Sequence, residues 1–183
     1  MSHKTVLKNL ITEHKVKFIA EVGVCRGALC RSNLKNCSSQ IAEYWAIDPW
    51  RHMGLGHGKS SKYSSERWET LYLRNCQRML QHKQLRIIRS ASLDAVEIFP
   101  DGYFDLVYLD ASHKYEDVKN DIEAWKVKVR DAGILAGHDY NLKKSAGVRQ
   151  AIDEVFNKDE LSFEEDGVWF VKYLRRSRFI KGA

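Results

Sequence analysis

The fold is decided by one stretch near the start of the chain, FIAEVGVCRG at residues 18–27. Its first half, Phe18–Val22, is short, mostly apolar and partly β-branched, as in a buried strand. Its second half is a glycine-rich turn, and Ala28–Asn36 then follows a helical pattern. Glycines between a strand and a helix let a ligand approach the backbone and expose the first helical amides. The stretch therefore predicts a strand, a ligand-binding turn and a helix.

Outward from this unit, the chain alternates between two kinds of apolar pattern. Further buried strands are predicted at Tyr44–Ile47, Leu85–Ile88, Phe104–Leu109 and Gly133–Ala136. Between them, apolar residues recur at spacings of three and four, which predicts helices. These stripes run from Trp68 to Leu80, from Tyr115 to Val129 and from Val148 to Phe156, and an opening helix covers Thr5–His14. Alternating strands and helices predict a mostly parallel sheet with helices on both faces.

The C-terminal part breaks this alternation. Leu161–Glu164 and Val168–Leu174 are strand-like, and Glu165-Asp166-Gly167 between them indicates a hairpin. A parallel sheet of this kind that ends in an antiparallel hairpin resembles the class I methyltransferase fold. We therefore predict an α/β, Rossmann-like, seven-stranded sheet in a single domain over residues 1–183.

Composition narrows the class of protein further. The 183 residues are 44% hydrophobic and 30% charged, as in a globular domain, and no apolar run approaches the roughly 20 residues of a membrane span. The charged N-terminal residues lack the apolar core of a signal peptide, so we expect a cytoplasmic protein without a membrane partner. The four cysteines form no CxxC pair, which predicts reduced thiols in or near the core. The net charge of +6 permits an anionic substrate or a nucleic acid but requires neither, and a homo-oligomer stays open.

The glycine turn has the pattern E-x-G-x-x-x-G, formed by Glu21, Gly23 and Gly27. Dinucleotide enzymes have a glycine where Glu21 stands, and a carboxylate there would repel a pyrophosphate. The ammonium and sulfonium of S-adenosylmethionine suit a carboxylate instead. The spacing resembles motif I of the class I methyltransferases. The alternative is a pair of glycines that end a strand beside a solvated Glu21.

This resemblance implies further cofactor contacts. Asp48 ends the second predicted strand and would hold the ribose hydroxyls, unless it only caps the turn. Ala91 and Ser92 follow the third strand and would contact the adenine, although a helix N-cap would have the same sequence. Asp110, after the fourth strand, would border the cofactor as well.

Two carboxylates and two imidazoles follow neighbouring strands of the predicted sheet. Asp110 and His113 come after the fourth strand, and His138 and Asp139 come after the fifth. Ligands of open α/β sheets bind at the carboxyl ends of the strands, so these side chains are expected in one crevice. The alternatives are a helix cap for Asp110, a solvated first-turn residue for His113 and a packed side chain for His138.

The pattern D-x-x-H-x-Y at Asp110, His113 and Tyr115 resembles a subfamily of small O-methyltransferases that includes the macrocin- and mycinamicin-type sugar enzymes. The resemblance implies that Asp110 and Asp139 hold a magnesium ion that binds a substrate hydroxyl, and that His113 is the general base. His138 stands where this subfamily has a carboxylate or an amide. Because Mg²⁺ prefers oxygen ligands, a metal site of Asp110, His138 and Asp139 shifts the expected ion towards manganese, iron or zinc.

The long connection at residues 50–63 contains glycines, polar residues and a few large side chains, which predicts a mobile lid or a plain surface loop. As a lid it would bring Arg51, His57 and Lys59 to the substrate.

The functional hypothesis from sequence is methyl transfer from S-adenosylmethionine to a hydroxyl of a small molecule such as a sugar, with a divalent metal and a histidine base. One alternative is a nucleic-acid methyltransferase. The [DN]-P-P-[FYW] loop of base-modifying enzymes is absent, however, because the chain contains only Pro49 and Pro100. The other alternative is a non-catalytic domain that binds a nucleotide or a partner.

Overall fold

Seven strands form one sheet in the computed structural model, which describes residues 2–53, 62–141 and 145–173. The strands are β1 (Phe18–Val22), β2 (Glu43–Ile47), β3 (Leu85–Ile88), β4 (Phe104–Leu109), β5 (Val129–Gly137), β6 (Leu161–Phe163) and β7 (Trp169–Lys172). The helices of the described residues are α1 (His3–Glu13), α2 (Ala28–Cys37), α3 (Ser65–Met79), α4 (Ser92–Val96), α5 (Tyr115–Lys126) and α6 (Ala146–Val155). A short 3-10 turn, Glu165–Gly167, joins β6 to β7.

The order of strands across the sheet is β3-β2-β1-β4-β5-β7-β6. The first five are parallel, β7 is antiparallel to β5, and β6 is antiparallel to β7. The predicted mixed sheet with a C-terminal hairpin is therefore confirmed. The chain leaves β1 towards β2 on one side and returns to β4 on the other. This reversal opens a crevice at the carboxyl ends of β1 and β4, where open α/β sheets bind ligands.

Two apolar layers cover the sheet, because alternate residues of a strand point to opposite faces. Ile19 and Leu106 face the layer formed with α1, α2 and α3. Ala20, Val107 and Leu135 face the layer formed with α4, α5 and α6. Both faces of the sheet are thus packed, and the loops at its carboxyl edge extend from buried strands.

The predicted helices differ from the observed ones mainly at their ends. α5 ends at Lys126, and Val129 begins β5 instead of extending the helical stripe. Its spacing of four from Trp125 matches a helix, but the chain turns at Val127–Lys128 and Val129 pairs with Phe104. Leu80 caps the end of α3 and is 89% exposed, so it is not part of the buried stripe.

Two predictions from composition can be compared with the structure. All four cysteines are free; Cys30 and Cys37 are buried, and Cys25 and Cys76 are half-buried, which confirms the expected reduced thiols. Within the described parts of the chain, no helix combines the length and the apolar character that a membrane crossing requires.

Candidate active site

A cleft of about 660 Å³ lies at the carboxyl ends of β1, β2 and β4. Its volume falls in the range of small-molecule and cofactor sites. Of the residues predicted from sequence, those that line it are Glu21, Gly23, Asp48, Ala91, Ser92, Asp110 and His113. Gly27, His138 and Asp139 do not line it, and each has a different place in the structure.

Gly23 forms the point where the ends of β1 and β4 approach most closely. Its φ is +96°, and a Cβ there would meet the backbone of Asp110 and lie 2.7 Å from the Cα of Ala111. Two backbone hydrogen bonds hold the strand ends together around Gly23. The Gly23 N–H donates to the carbonyl of Ile47 at 2.9 Å, and the Asp110 N–H donates to the carbonyl of Val22 at 2.8 Å. Only glycine fits both the backbone conformation and the space.

Gly27 allows a close contact between α2 and α3. It is the N-cap of α2 with a φ of +64°, and a Cβ there would collide with the side chains of Asn75 and Arg78 on α3. Arg78 also donates through Nη1 to the carbonyl of Arg26 at 3.0 Å. Gly27 therefore lets α3 pack against the start of α2 and shapes the turn from behind the cleft.

Glu21 is buried beneath the turn, with only 2% of its surface exposed. The Tyr44 hydroxyl donates to its Oε2 at 2.5 Å. Burial raises the pKa of Glu21 to about 8, although the Tyr44 hydrogen bond opposes this, and the charges of Asp110 and Asp48 raise it further. The alternative of a solvated glutamate does not describe this side chain. Tyr44 was not singled out from the sequence, where it resembles any apolar residue of a buried strand.

Asp48 joins the two loops that follow β1 and β2 at the cleft. Its Oδ2 accepts from the Cys25 N–H at 2.8 Å, and its Oδ1 accepts from the Trp50 N–H at 2.6 Å. Burial raises its pKa, although these backbone hydrogen bonds lower it. A carboxylate oxygen can accept more than one hydrogen bond, so Asp48 retains acceptor capacity towards the cleft.

Ala91 and Ser92 begin α4, and Ser92 belongs to a buried polar group. The Trp125 indole donates through Nε1 to Ser92 Oγ at 2.8 Å. Asp121 is 7% exposed; burial raises its pKa to about 6, although a hydrogen bond with Ser92 lowers it. Asp121 therefore does not lie on the solvated face of α5. Its position on the apolar stripe, three residues after Val118 and four before Trp125, was the signal that it is buried.

Asp139 binds both imidazoles. Its Oδ2 lies 2.7 Å from Nε2 of His113, and its Oδ1 lies 2.9 Å from Nδ1 of His138. Asp139 has a φ of +67° and is 6% exposed, so its carboxylate is fixed. His113 lies in the loop before α5, which begins at Tyr115, so it is not a first-turn residue of that helix. The loop brings it to Asp139 without a helix.

The pKa values of these groups follow from that arrangement. The hydrogen bond to Asp139 raises the pKa of His113, although burial opposes it. Burial would lower the pKa of His138, but its hydrogen bond to Asp139 and the charges of Asp110 and Asp139 raise it to about 9. Burial also opposes ionisation of Asp139, yet the two imidazoles hold its pKa well below the usual range. The group is thus a carboxylate between two basic rings.

Asp110 completes a set of possible metal ligands. One ligand atom each from Asp110, His113 and Asp139 lie within 4.8 Å of one another. Burial raises the pKa of Asp110 to about 7, although the charge of His138 lowers it. Two carboxylates and an imidazole fit a divalent ion that accepts nitrogen and oxygen ligands. The Nε2 of His138 points elsewhere, 3.9 Å from Oδ2 of Asp166.

The start of the predicted lid is anchored in the core. Trp50 is completely buried, and its Nε1 donates to the carbonyl of Cys25 at 2.9 Å. Arg51 lines the cleft beside Met53. His57 and Lys59 lie outside the described residues, as does the rest of segment 54–61.

A family model described as a methyltransferase domain matches residues 20–140, from β1 to just after β5. These residues include the glycine turn and the ends of β4 and β5, where Asp110, His113, His138 and Asp139 lie. The chain belongs to this family of methyltransferase domains. The predicted class of enzyme, a methyltransferase, is therefore confirmed.

A curated relative of this methyltransferase is an uncharacterized protein, y4gI, of Sinorhizobium fredii. It is 28% identical over 102 residues, which are 56% of this chain and 10% of that relative. The methyltransferase thus spans about one tenth of the length of that protein.

Solved structures share the fold of this methyltransferase at low sequence identity. A putative caffeoyl-CoA O-methyltransferase from Staphylococcus aureus has a TM-score of 0.65 at 16% identity, covering 92% of this chain and 82% of that one. An O-methyltransferase from Bacillus cereus, in complex with SAH, has a TM-score of 0.63 at 14% identity, covering 93% and 80%. CalS11, a TDP-rhamnose 3'-O-methyltransferase, has a TM-score of 0.61 at 14% identity, covering 92% and 78%. The predicted resemblance to small O-methyltransferases is confirmed at the level of the fold.

Proposed function

We propose that this methyltransferase transfers the methyl group of S-adenosylmethionine to a hydroxyl of a small molecule such as a sugar. The observation that carries the proposal is the pair of His113 and Asp139, 2.7 Å apart, beside the glycine turn. An imidazole held by a carboxylate is suited to accept a proton, and methylation of a hydroxyl requires one. The likeness to O-methyltransferase structures supports the same reaction.

The cofactor would occupy the part of the cleft between Gly23, Asp48 and the start of α4. Gly23 would allow the methionine end to approach the backbone, and the acidic Glu21 beneath it favours the positive charges of that end. Asp48 would accept from the ribose hydroxyls. Ala91 and Ser92, which line the opposite wall, would border the adenine.

The acceptor would then lie on the side of His113, where His3 and Met53 also line the cleft. Methyl transfer is an in-line displacement at the sulfonium, so the acceptor oxygen must face the methyl group and lose its proton. Because Asp139 occupies Nε2 of His113, the proton would go to Nδ1 of the same ring. Asp139 keeps the ring in this orientation and stabilises the imidazolium that forms.

The metal expected from sequence fits this site in part. Asp110 and Asp139 would hold a divalent ion, with His113 or His138 as the nitrogen ligand. When bound, such an ion would lower the pKa of an acceptor hydroxyl. In the described conformation both oxygens of Asp139 contact imidazoles, so the set favours Mn²⁺ or Zn²⁺ over Mg²⁺.

We also retain the expectation of a cytoplasmic protein and of a possible homo-oligomer as predictions.

The test is methylation of a panel of hydroxylated acceptors with labelled S-adenosylmethionine. His113→Ala should lower the rate about 10²–10⁴-fold, the usual range for removing a general base, with cofactor affinity nearly unchanged. His82→Ala, in the loop before β3 and away from the cleft, is the matched control and should keep the wild-type rate. If His113→Ala keeps full activity while His138→Ala loses it, His138 is the base and the assignment is wrong.

A further inference from the structure

His3, His138 and Asp166 form a second group of metal-binding side chains beside the cleft. They come from the first turn of α1, the loop after β5 and the turn between β6 and β7. One ligand atom from each lies within 4.8 Å of the others. Nδ1 of His3 is 2.9 Å from Oδ2 of Asp166, and Nε2 of His138 is 3.9 Å from the same oxygen. The rings of the two histidines are 4.9 Å apart.

The free nitrogen of His138 indicates that the group is incomplete. Its Nε2 is inaccessible to solvent and makes no hydrogen bond of good geometry with any part of the chain that the structure describes, although the backbone of Asp166 lies close enough to help raise the pKa of the ring. A buried polar atom without a partner is costly, and native structures usually supply one. Here the nitrogen faces Asp166 from a distance that is too long for a hydrogen bond.

The other nitrogen of His138 is held as in a metal-bound histidine. Its Nδ1 is 2.9 Å from Oδ1 of Asp139. Histidines that bind metals usually donate their second ring N–H to a carboxylate, which fixes the tautomer and leaves Nε2 for the ion. Asp110, Asp139 and Asp166 also surround His138 with negative charge. This environment favours a positive charge next to the ring, whether a proton or a metal ion carries it.

We propose that His3, His138 and Asp166 bind one Zn²⁺, with Asp139 orienting His138 from outside the coordination sphere. Two imidazoles and a carboxylate are a ligand set typical of zinc, and three protein ligands leave a fourth position for water or an acceptor hydroxyl. Zinc bonds of about 2.0–2.2 Å in a tetrahedron place the ligand atoms roughly 3.4 Å apart. The distances of 2.9 Å and 3.9 Å lie on either side of this value, so small side-chain rotations would suffice.

This site differs from the one expected from the resemblance to O-methyltransferases. It uses neither Asp110 nor His113, and Asp139 enters it only through His138. His3 lines the cleft. An ion in this site would connect the start of α1 with the loops after β5 and β6. The proposal does not depend on methyl transfer, since binding is measured without a substrate.

The experiment is a calorimetric titration of the full, chelator-treated chain with Zn²⁺. One equivalent should depend on this group, so His3→Ala and Asp166→Asn should each weaken the binding of that equivalent by about 100-fold, the upper end of what even an outer-sphere change costs. Asn is chosen for position 166 because the residue has a φ of +63°, which Asn tolerates. Asp131→Asn and His82→Ala, which lie outside the cleft and outside both groups of possible ligands, should bind as the wild type does.

Cobalt substitution provides a second measurement that needs no variant. Co²⁺ bound in this site should give the intense visible absorption of a tetrahedral complex with nitrogen ligands. Thermal melts of the metal-free variants establish that they are folded. The proposal is overturned if the wild type binds no Zn²⁺, in which case Asp166 only accepts from the N–H of His3 at the start of α1. It is also overturned if Asp110→Asn abolishes binding while His3→Ala and Asp166→Asn retain it.

Discussion

Gly23→Ala tests whether the close approach of β1 and β4 forms the cofactor site. The substitution adds one carbon at a φ of +96°, against the backbone of Asp110 and 2.7 Å from the Cα of Ala111. These atoms belong to the main chain, so no side-chain rotation can relieve the overlap. The end of β4 must move away, which strains the hydrogen bond of 2.8 Å from the Asp110 N–H to the carbonyl of Val22.

The expected cost has two parts. A residue with a Cβ in the left-handed region costs roughly 1–2 kcal/mol. Forcing an extra carbon into a packed site typically adds about 1–3 kcal/mol. Gly102→Ala is the matched control, because Gly102 has a φ of +67° but its nearest neighbour, the Cα of Arg130, would be 3.8 Å from the added carbon. The control should lose only the first of these two amounts of unfolding free energy.

The assay is urea denaturation of both variants, combined with calorimetry of S-adenosylmethionine binding. Gly23→Ala should lose about 1–3 kcal/mol more unfolding free energy than Gly102→Ala, and it should bind the cofactor at least about tenfold more weakly. Gly102→Ala should bind the cofactor normally. Equal destabilisation of the two variants, with wild-type cofactor affinity in Gly23→Ala, would refute the assigned role of this turn.

Three further predictions concern the acidic groups. Because burial raises the pKa of Glu21 from 4.5 to about 8, the cofactor-free fold should lose up to about 5 kcal/mol as the pH rises through this interval. Glu21→Gln should abolish that loss; a parallel pH dependence in both proteins would contradict it. Asp48→Ala should weaken cofactor binding by about 1–3 kcal/mol, whereas Asp131→Ala, on the exposed start of β5, should not; equal affinities would rule out the ribose contact. Chelation should suppress methylation, and Mn²⁺ should restore it better than Mg²⁺; full activity of the metal-stripped enzyme would rule out the metal.

The sequence was sufficient to predict the fold because strands and helices differ in the spacing of their apolar residues. Buried strands are short apolar runs, and helices repeat at three and four, so their alternation indicated the sheet and its layers. Where the two periods coincide, the prediction was wrong. Val129 stands four residues after Trp125, as in a helix, yet it is the first residue of β5. Only its pairing with Phe104, which is 25 residues away, decides between the two.

From the sequence, the residues of the candidate site were predictable only where they directly follow a strand. Asp110, His113, His138 and Asp139 follow adjacent strands, and the topology brings them together. How they pair depends on backbone conformation that sequence does not report. The φ of +67° at Asp139 directs its carboxylate to both imidazoles.

His3 and Asp166 give the opposite case, because no local pattern connects them. They are separated by 163 positions, and each resembles an ordinary polar residue of a helix start or a turn. β7 returns antiparallel to β5, which places the turn before β7 next to the loop after β5, and the start of α1 contacts that turn through His3. The same return brings Asp166 near His138. A hairpin that was predicted for its fold alone thus supplies a candidate ligand.

The distribution of charge in the cleft favours the proposed direction of transfer. Two buried acids, Glu21 and Asp48, line the part of the cleft that we propose for the cofactor, while His113 lines the cleft and contacts Asp139 behind it. Burial raises the pKa of Glu21, and a cationic ligand would favour its ionised form. The same carboxylates would repel an anionic pyrophosphate, which argues against a dinucleotide in this cleft. In the proposed reaction the acceptor must lose a proton, and His113, held by Asp139, would take it.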